Sequence, residues 1–269
     1  MNTSVRFFSV VAAMSAWVTV SPAFVHGVVI AGPGHMDINM NIDEDGQWTF
    51  ALDHDGAGSG FEGGGGSGAF TREADVETVI YIPGSKSLNR PSGSTWDFFG
   101  VGAGQPLWIF GQNQDQSFVW PGLNTEETTP GLISTWRPDH PLLTAANSYM
   151  ELRLTDMQYY GEGTANHFSM WIAGAFGSSN VWMSTANGID SNDAFFMLPG
   201  GHSHMNWGFT SQGIYDLTFV ARTMLDGEMV TSDPFTLRFG INATSIVPEP
   251  GRVLLLVAGC ALMFLRRRR

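Results

Sequence analysis

The chain has 269 residues, with 13 basic and 25 acidic side chains and a formal charge of −12. Its 43% apolar content, with nine Trp and 19 Phe, is ample for a packed core and excludes wholesale disorder. Setting aside residues 1–27 and the stretch from Pro248 leaves 7 basic and 24 acidic residues, a net charge of −17 that repels phosphate backbones and excludes nucleic-acid binding.

In chain order, the N-terminus places Arg6 before an apolar run from Phe7 to Val20, then Ser21, Pro22 and Ala23. One positive charge, an apolar stretch and small residues predict a secretory signal peptide over residues 1–27, with cleavage at Ala23 or Gly27. Strand patterns follow. Met36–Ile42 and Gln47–Leu52 alternate apolar and polar residues around a turn, Asp43-Glu44-Asp45-Gly46. Val76–Ile82 ends at Pro83-Gly84, and Leu107–Phe110 and Ser117–Trp120 come next. The second half adds Tyr149–Leu154, His167–Ala173, Asn180–Ser184, His204–Phe209, Ile214–Arg222 and Pro234–Ile241. No window sustains a helical apolar period, so the pattern predicts an all-β fold. Its form is an antiparallel β-sandwich, Ig-like or jelly-roll-like, with Trp171, Trp207, Phe209, Tyr215 and Phe219 in the core. Apolar helices are expected only at the two termini.

Gly56–Gly68 holds eight glycines in thirteen residues and reads as a mobile loop. It contains the spacing of a dinucleotide fingerprint, Gly58 to Gly63, but no helix pattern follows, so the nucleotide reading is set aside. The irregular segment 121–141 either joins two packed subdomains, 28–125 and 145–246, or crosses a single surface domain over 28–246. The pattern leaves both open.

The C-terminus runs Val247-Pro248-Glu249-Pro250, then an apolar stretch Val253–Leu265, then Arg266 to Arg269. Thirteen apolar residues rise about 20 Å as a helix, short for a bilayer core of about 30 Å. This order closely resembles the PEP-CTERM sorting signal. The resemblance implies a segment, 247–269, that holds the chain transiently in the inner membrane. Export machinery and an exosortase-type sorting enzyme are then its partners, and the cell surface or extracellular matrix its destination. The single cysteine, Cys260, lies in this tail, so the body has no disulfide and no thiolate metal site.

Three blocks of the body resemble a family. They are Gly34-His35-Met36-Asp37 with the hairpin to Trp48; Trp96 to Trp108 continuing through Trp120 to Glu127; and His167 to Trp171 with Gly201-His202-Ser203-His204-Met205-Asn206-Trp207 and Gly213 to Thr218. Together, over about residues 34–240, they look like the choice-of-anchor M domain of bacterial surface proteins. The family carries no settled activity. Related actinobacterial surface domains accompany metal-type transport systems, which points towards metal.

His202 and His204 are two apart, so a strand projects both to one face, roughly 7 Å apart at their origins. Two imidazoles so placed can share one metal ion. His35 and His167, in the other family-like blocks, are the expected partners of a four-ligand site, with Asn206 or a carboxylate orienting a ring from behind. Without thiolate, imidazole suits zinc, copper, nickel or iron. His54 and His140 fall outside the strongest blocks. Asp43-Glu44-Asp45-Gly46 and Asp53-His54-Asp55-Gly56 resemble halves of calcium loops but lack the closing bidentate acid, so ordinary turns are expected and calcium is not. No Gly-x-Ser-x-Gly or His-Glu-x-x-His pattern is present, and nothing requires an enzyme. The alternative to metal binding is a structural or adhesive matrix protein. In that reading Trp96, Trp108, Trp120, Trp171, Trp182 and Trp207 would offer a glycan platform or, more simply, core.

Overall fold

The computed structural model describes residues 28–56, 60–61 and 69–245, and their architecture is all-β. The expectations for the two termini and for most of the glycine-rich loop lie outside these residues. Among the described residues no helix is long and apolar enough to cross a membrane.

Three sheets carry the fold. The largest orders Ala194–Met197, Met150–Tyr160, Gly213–Leu225, Phe235–Ile241, Thr78–Ile82, Val29–Ala31 and Gly60–Phe61, with Glu228–Thr231 also pairing Gly213–Leu225. A second orders Ser179–Ser184, Phe168–Ala173, Asn206–Phe209, Pro106–Phe110 and Leu88–Asn89. The third orders His202–His204, Val119–Asn124, Gly34–Ile42, Trp48–His54 and Phe70–Glu73. Each sheet takes strands from both halves of the chain, so residues before 125 and after 145 share every sheet rather than forming sheets of their own. Pairing is not wholly antiparallel. Val29–Ala31 and Phe235–Ile241 both run parallel to Thr78–Ile82, and Gly34–Ile42 runs parallel to Val119–Asn124. Alternation predicts where a strand lies but carries no information on which distant strand it joins or in which direction.

The inner faces meet in one apolar core. Met36, Ile38 and Met40 from the third sheet, Phe168, Trp207 and Phe209 from the second, and Tyr215, Phe219 and Phe239 from the first all belong to it. The five residues expected in the core are buried. Trp171, however, packs on the outer face of its sheet, with Phe99 and Leu107 beneath the 3-10 turns of Ser94–Phe99. Side chains at about 25 cal/mol per Å² of apolar area removed from water drive this closure.

Two local features position the site. The hairpin turn is fixed by Asp43, whose Oδ1 accepts the N–H of Asp45 at 3.0 Å and of Gln47 at 2.8 Å. Gly46 there takes φ +78°, a left-handed conformation natural to glycine. That turn sets the register Met36↔His54 to Ile42↔Trp48, which sends Met36, Ile38 and Met40 inward and His35, Asp37 and Asn39 outward. The second feature is a break at Met205. The expected single strand 204–209 is two: His202–His204 pairs with Val119–Asn124 in the third sheet, and Asn206–Phe209 pairs with neighbours in the second. Met205, fully buried, is the point where the chain changes sheets.

Candidate metal centre

On the outer face of the third sheet, four side chains from two strands converge over a third. His35 and Asp37 come from Gly34–Ile42, and His202 and His204 from His202–His204. Val119–Asn124 lies between these strands, pairing parallel with the first and antiparallel with the second. Each ligand pair is two residues apart on its strand, so strand alternation alone puts both members outward. One potential ligand atom from each of the four lies within 4.8 Å of the others.

The contacts form a closed ring. His35 Nε2 stands 3.0 Å from His204 Nε2, which stands 3.2 Å from His202 Nε2. His202 Nε2 stands 2.9 Å from Asp37 Oδ1, which stands 3.3 Å from His35 Nε2. These contacts cannot all be hydrogen bonds at once. A neutral imidazole nitrogen carries one proton or one lone pair, so His204 Nε2 cannot satisfy both neighbouring rings. Asp37 Oδ1 is buried with no aligned donor, despite the ring nitrogen at 2.9 Å. A cation held by the four atoms would satisfy the shared nitrogen and the unpaired carboxylate oxygen together.

The surroundings hold the ligands in place. Asp55 Oδ1 accepts the backbone N–H of His35 at 3.0 Å, and its Oδ2 stands 3.9 Å from His35 Nδ1, leaving Nε2 for the centre. The Asn124 side chain, whose Nδ2 donates to Glu126 Oε2 at 3.3 Å, also favours the charged form of Asp37. The Trp120 indole stacks on His204 with centroids 3.5 Å apart and planes 10° apart. That indole is in turn pinned by Nε1–H donating to the Gly111 carbonyl at 3.1 Å. Gly122 lies under the His204 ring and is the register partner of both His204 and Asp37.

Electrostatics favour ligation at neutral pH. His204 is lowered to about 4, chiefly by burial and then by the neighbouring His35; the Pro121 carbonyl opposes this, and His202 adds to it. Its ring is therefore neutral and its lone pair available. Asp37 is raised above the ordinary carboxylate value, mainly by burial, with His35, His202 and Asn124 pulling the other way. A bound divalent ion would offset the burial of that charge.

A pH prediction follows from His204. Between about 6.5 and about 4 the unfolded chain binds a proton that the folded ring refuses, so metal-free protein loses stability as pH falls through that window. Asp37, whose folded form holds its proton more tightly than the unfolded one, offsets part of that loss at the acid end. The expected result is a melting temperature that declines from pH 6.5 to pH 4, with a shallower decline in His204→Ala. Equal slopes would contradict the placement of His204.

Of the four expected ligands, the structure brings together His35, His202 and His204, and puts Asp37 where His167 was expected. His167 sits at the start of a second-sheet strand, its backbone N–H donating to Thr210 Oγ1 at 2.7 Å and its ring against Gly100. Membership of a block said nothing of which sheet that block joins. Asn206 is also committed elsewhere: its Oδ1 accepts the Gln112 N–H at 2.9 Å and its Nδ2 donates to the Trp171 carbonyl at 3.2 Å. Asp37 carried a readable signal, since His35-Met36-Asp37 has the same two-residue spacing as His202-Ser203-His204.

The other described histidines, His54 and His140, have structural partners. His54 accepts the Gly56 N–H at Nδ1 and reaches the Gly32 carbonyl with Nε2, while stacking on Phe70. His140 contacts the Asn192 carbonyl at 3.0 Å and stacks on Trp182. Asp43 is spent on its turn, and Asp53 accepts the Thr71 hydroxyl at 3.1 Å. Trp108, Trp171 and Trp207 are buried, whereas Trp96, Trp120 and Trp182 are half-buried.

Comparison of the chain with protein-family models, curated proteins and solved structures finds no match. The metal reading therefore stands on the geometry of this chain's own residues.

Proposed function

We propose that this protein is an exported, surface-anchored β domain that binds a divalent transition-metal ion through His35, Asp37, His202 and His204. The observation that carries the metal reading is the convergence of three imidazole nitrogens and one carboxylate oxygen, from strands more than 150 residues apart in sequence, within 4.8 Å. Three nitrogens and one oxygen without thiolate suit a borderline divalent ion. The site lies on an outward face, where His35 and His202 keep side-chain exposures of 25% and 31%, so an ion can enter from solvent. That supports capture or display of metal rather than a sealed structural site. Elemental analysis of the full chain, produced without affinity histidines, should find about one equivalent of transition metal per chain. A chain that stays metal-free after incubation with zinc, copper and nickel would overturn the reading.

The address rests on sequence. The signal-peptide pattern of residues 1–27 and the Val-Pro-Glu-Pro, apolar and Arg-cluster order of 247–269 support export, transient hold in the inner membrane and exosortase-type processing. The body's resemblance to the choice-of-anchor M domain, and a β-sandwich arrangement of its sheets, belong to the same proposal. Deleting Pro248–Arg269 should release the protein into the periplasm or medium; a deleted form that stays cytosolic would refute export.

A further inference from the structure

The ligand ring described above also has a shape, and that shape discriminates between ions. Four neighbouring pairs stand at 2.9, 3.0, 3.2 and 3.3 Å. Asp37 and His204 stand across the ring from each other, as do His35 and His202, whose ring centroids are 5.3 Å apart. His35 and His202 each come within 4.0 Å of the Asp37 carboxylate, but His204 does not, although the whole set stays within 4.8 Å. For bonds of about 2.1 Å, neighbours at these separations subtend roughly 87–104° at the ion, and a pair about 4.0–4.2 Å apart, the widest such bonds can span, subtends about 145–180°. A tetrahedral set of the same bond length would hold every pair near about 3.4 Å.

Backbone register explains the spread. Gly122 is the Cα partner of Asp37 on one side and of His204 on the other, so these two reach the centre from opposite sides of the middle strand. His35 is level with Trp120 and His202 with Asn124, which places them at opposite ends of the same stretch. The sheet thus imposes near-right angles between neighbours and sets Asp37 opposite His204 across the ring. Exposure of His35 and His202 leaves the side away from Gly122 open to water.

Resting on the metal reading above, we infer that the centre is an open site of octahedral or tetragonal type, with Asp37 and His204 trans to each other and at least one coordination position available to an outside oxygen or nitrogen donor. Such angles with nitrogen and oxygen donors suit copper(II) or nickel(II) rather than a closed four-coordinate zinc site. A small anionic or imidazole-bearing ligand presented from solvent would complete the coordination.

The test uses the full chain, without affinity histidines, loaded separately with cobalt(II) and copper(II). Cobalt(II) should give the weak visible bands of a five- or six-coordinate ion; intense tetrahedral bands would overturn the inference while leaving metal binding intact. Copper(II) should give an axial paramagnetic spectrum with nitrogen coupling that shifts when azide or free imidazole is added. A spectrum insensitive to both would overturn the open position. Asp37→Asn, which keeps the side chain's volume, should alter the copper spectrum, and an unchanged spectrum would remove Asp37 from the ligand set. Failure to bind either ion would instead sink the underlying metal reading.

Discussion

His204→Ala is expected to lower affinity for a divalent transition metal by about 100-fold or more, measured by calorimetric titration of the full chain. The figure is anchored by the about 10–100-fold cost of losing a residue that merely supports a ligand, which loss of a ligand itself should exceed. His204 joins His35, at 3.0 Å, to His202, at 3.2 Å, so its removal breaks the closed set. His140→Ala is the control. It also removes a packed ring, stacked on Trp182, but that ring lies outside the cluster and should leave metal affinity unchanged. Thermal melts separate the two effects. Metal at about 100 times its dissociation constant stabilises the folded chain by about 2.7 kcal/mol, and that increment should vanish in His204→Ala and persist in His140→Ala. Equal metal-dependent shifts in both variants would contradict the site.

The comparison of sequence and structure turns on which facts alternation carries. A period of two fixes the face of a strand, and so it placed His202 beside His204 and sent Met36, Ile38 and Met40 inward. The same rule applied to His35 and Asp37 yields the fourth member of the cluster. Pairing is another matter. That Val119–Asn124 lies between Gly34–Ile42 and His202–His204, parallel to one and antiparallel to the other, depends on how the whole core closes. The switch of sheets at Met205 is equally silent, because a buried methionine in an apolar run reads the same whether the strand continues or turns away. Asn206 lies beyond that switch, and His167 leads into the strand that pairs with Asn206–Phe209, so both belong to another sheet.

Gly122→Ala should lower metal affinity by roughly the same order as loss of a ligand, with the fold retained. An added Cβ would stand 2.7 Å from His204 Cε1, 2.8 Å from Nδ1 and 2.9 Å from Nε2, closer than real Cβ contacts allow. The ring has little room to yield. Trp120 stacks along it at 3.5 Å, and the indole is held by its hydrogen bond to the Gly111 carbonyl. His204 must therefore rotate away, and its Nε2 leaves the centre. Overpacking of this kind costs about 1–3 kcal/mol of stability, which a well-packed domain of this size tolerates. Gly102→Ala is the matched control, since a Cβ there meets nothing within 4 Å. A double-mutant cycle gives the sharper measurement: in a His204→Ala background, Gly122→Ala should cost almost no further affinity, because the ring it displaces is gone. An undiminished loss in that background would mean that Gly122 acts on the centre by some route other than His204.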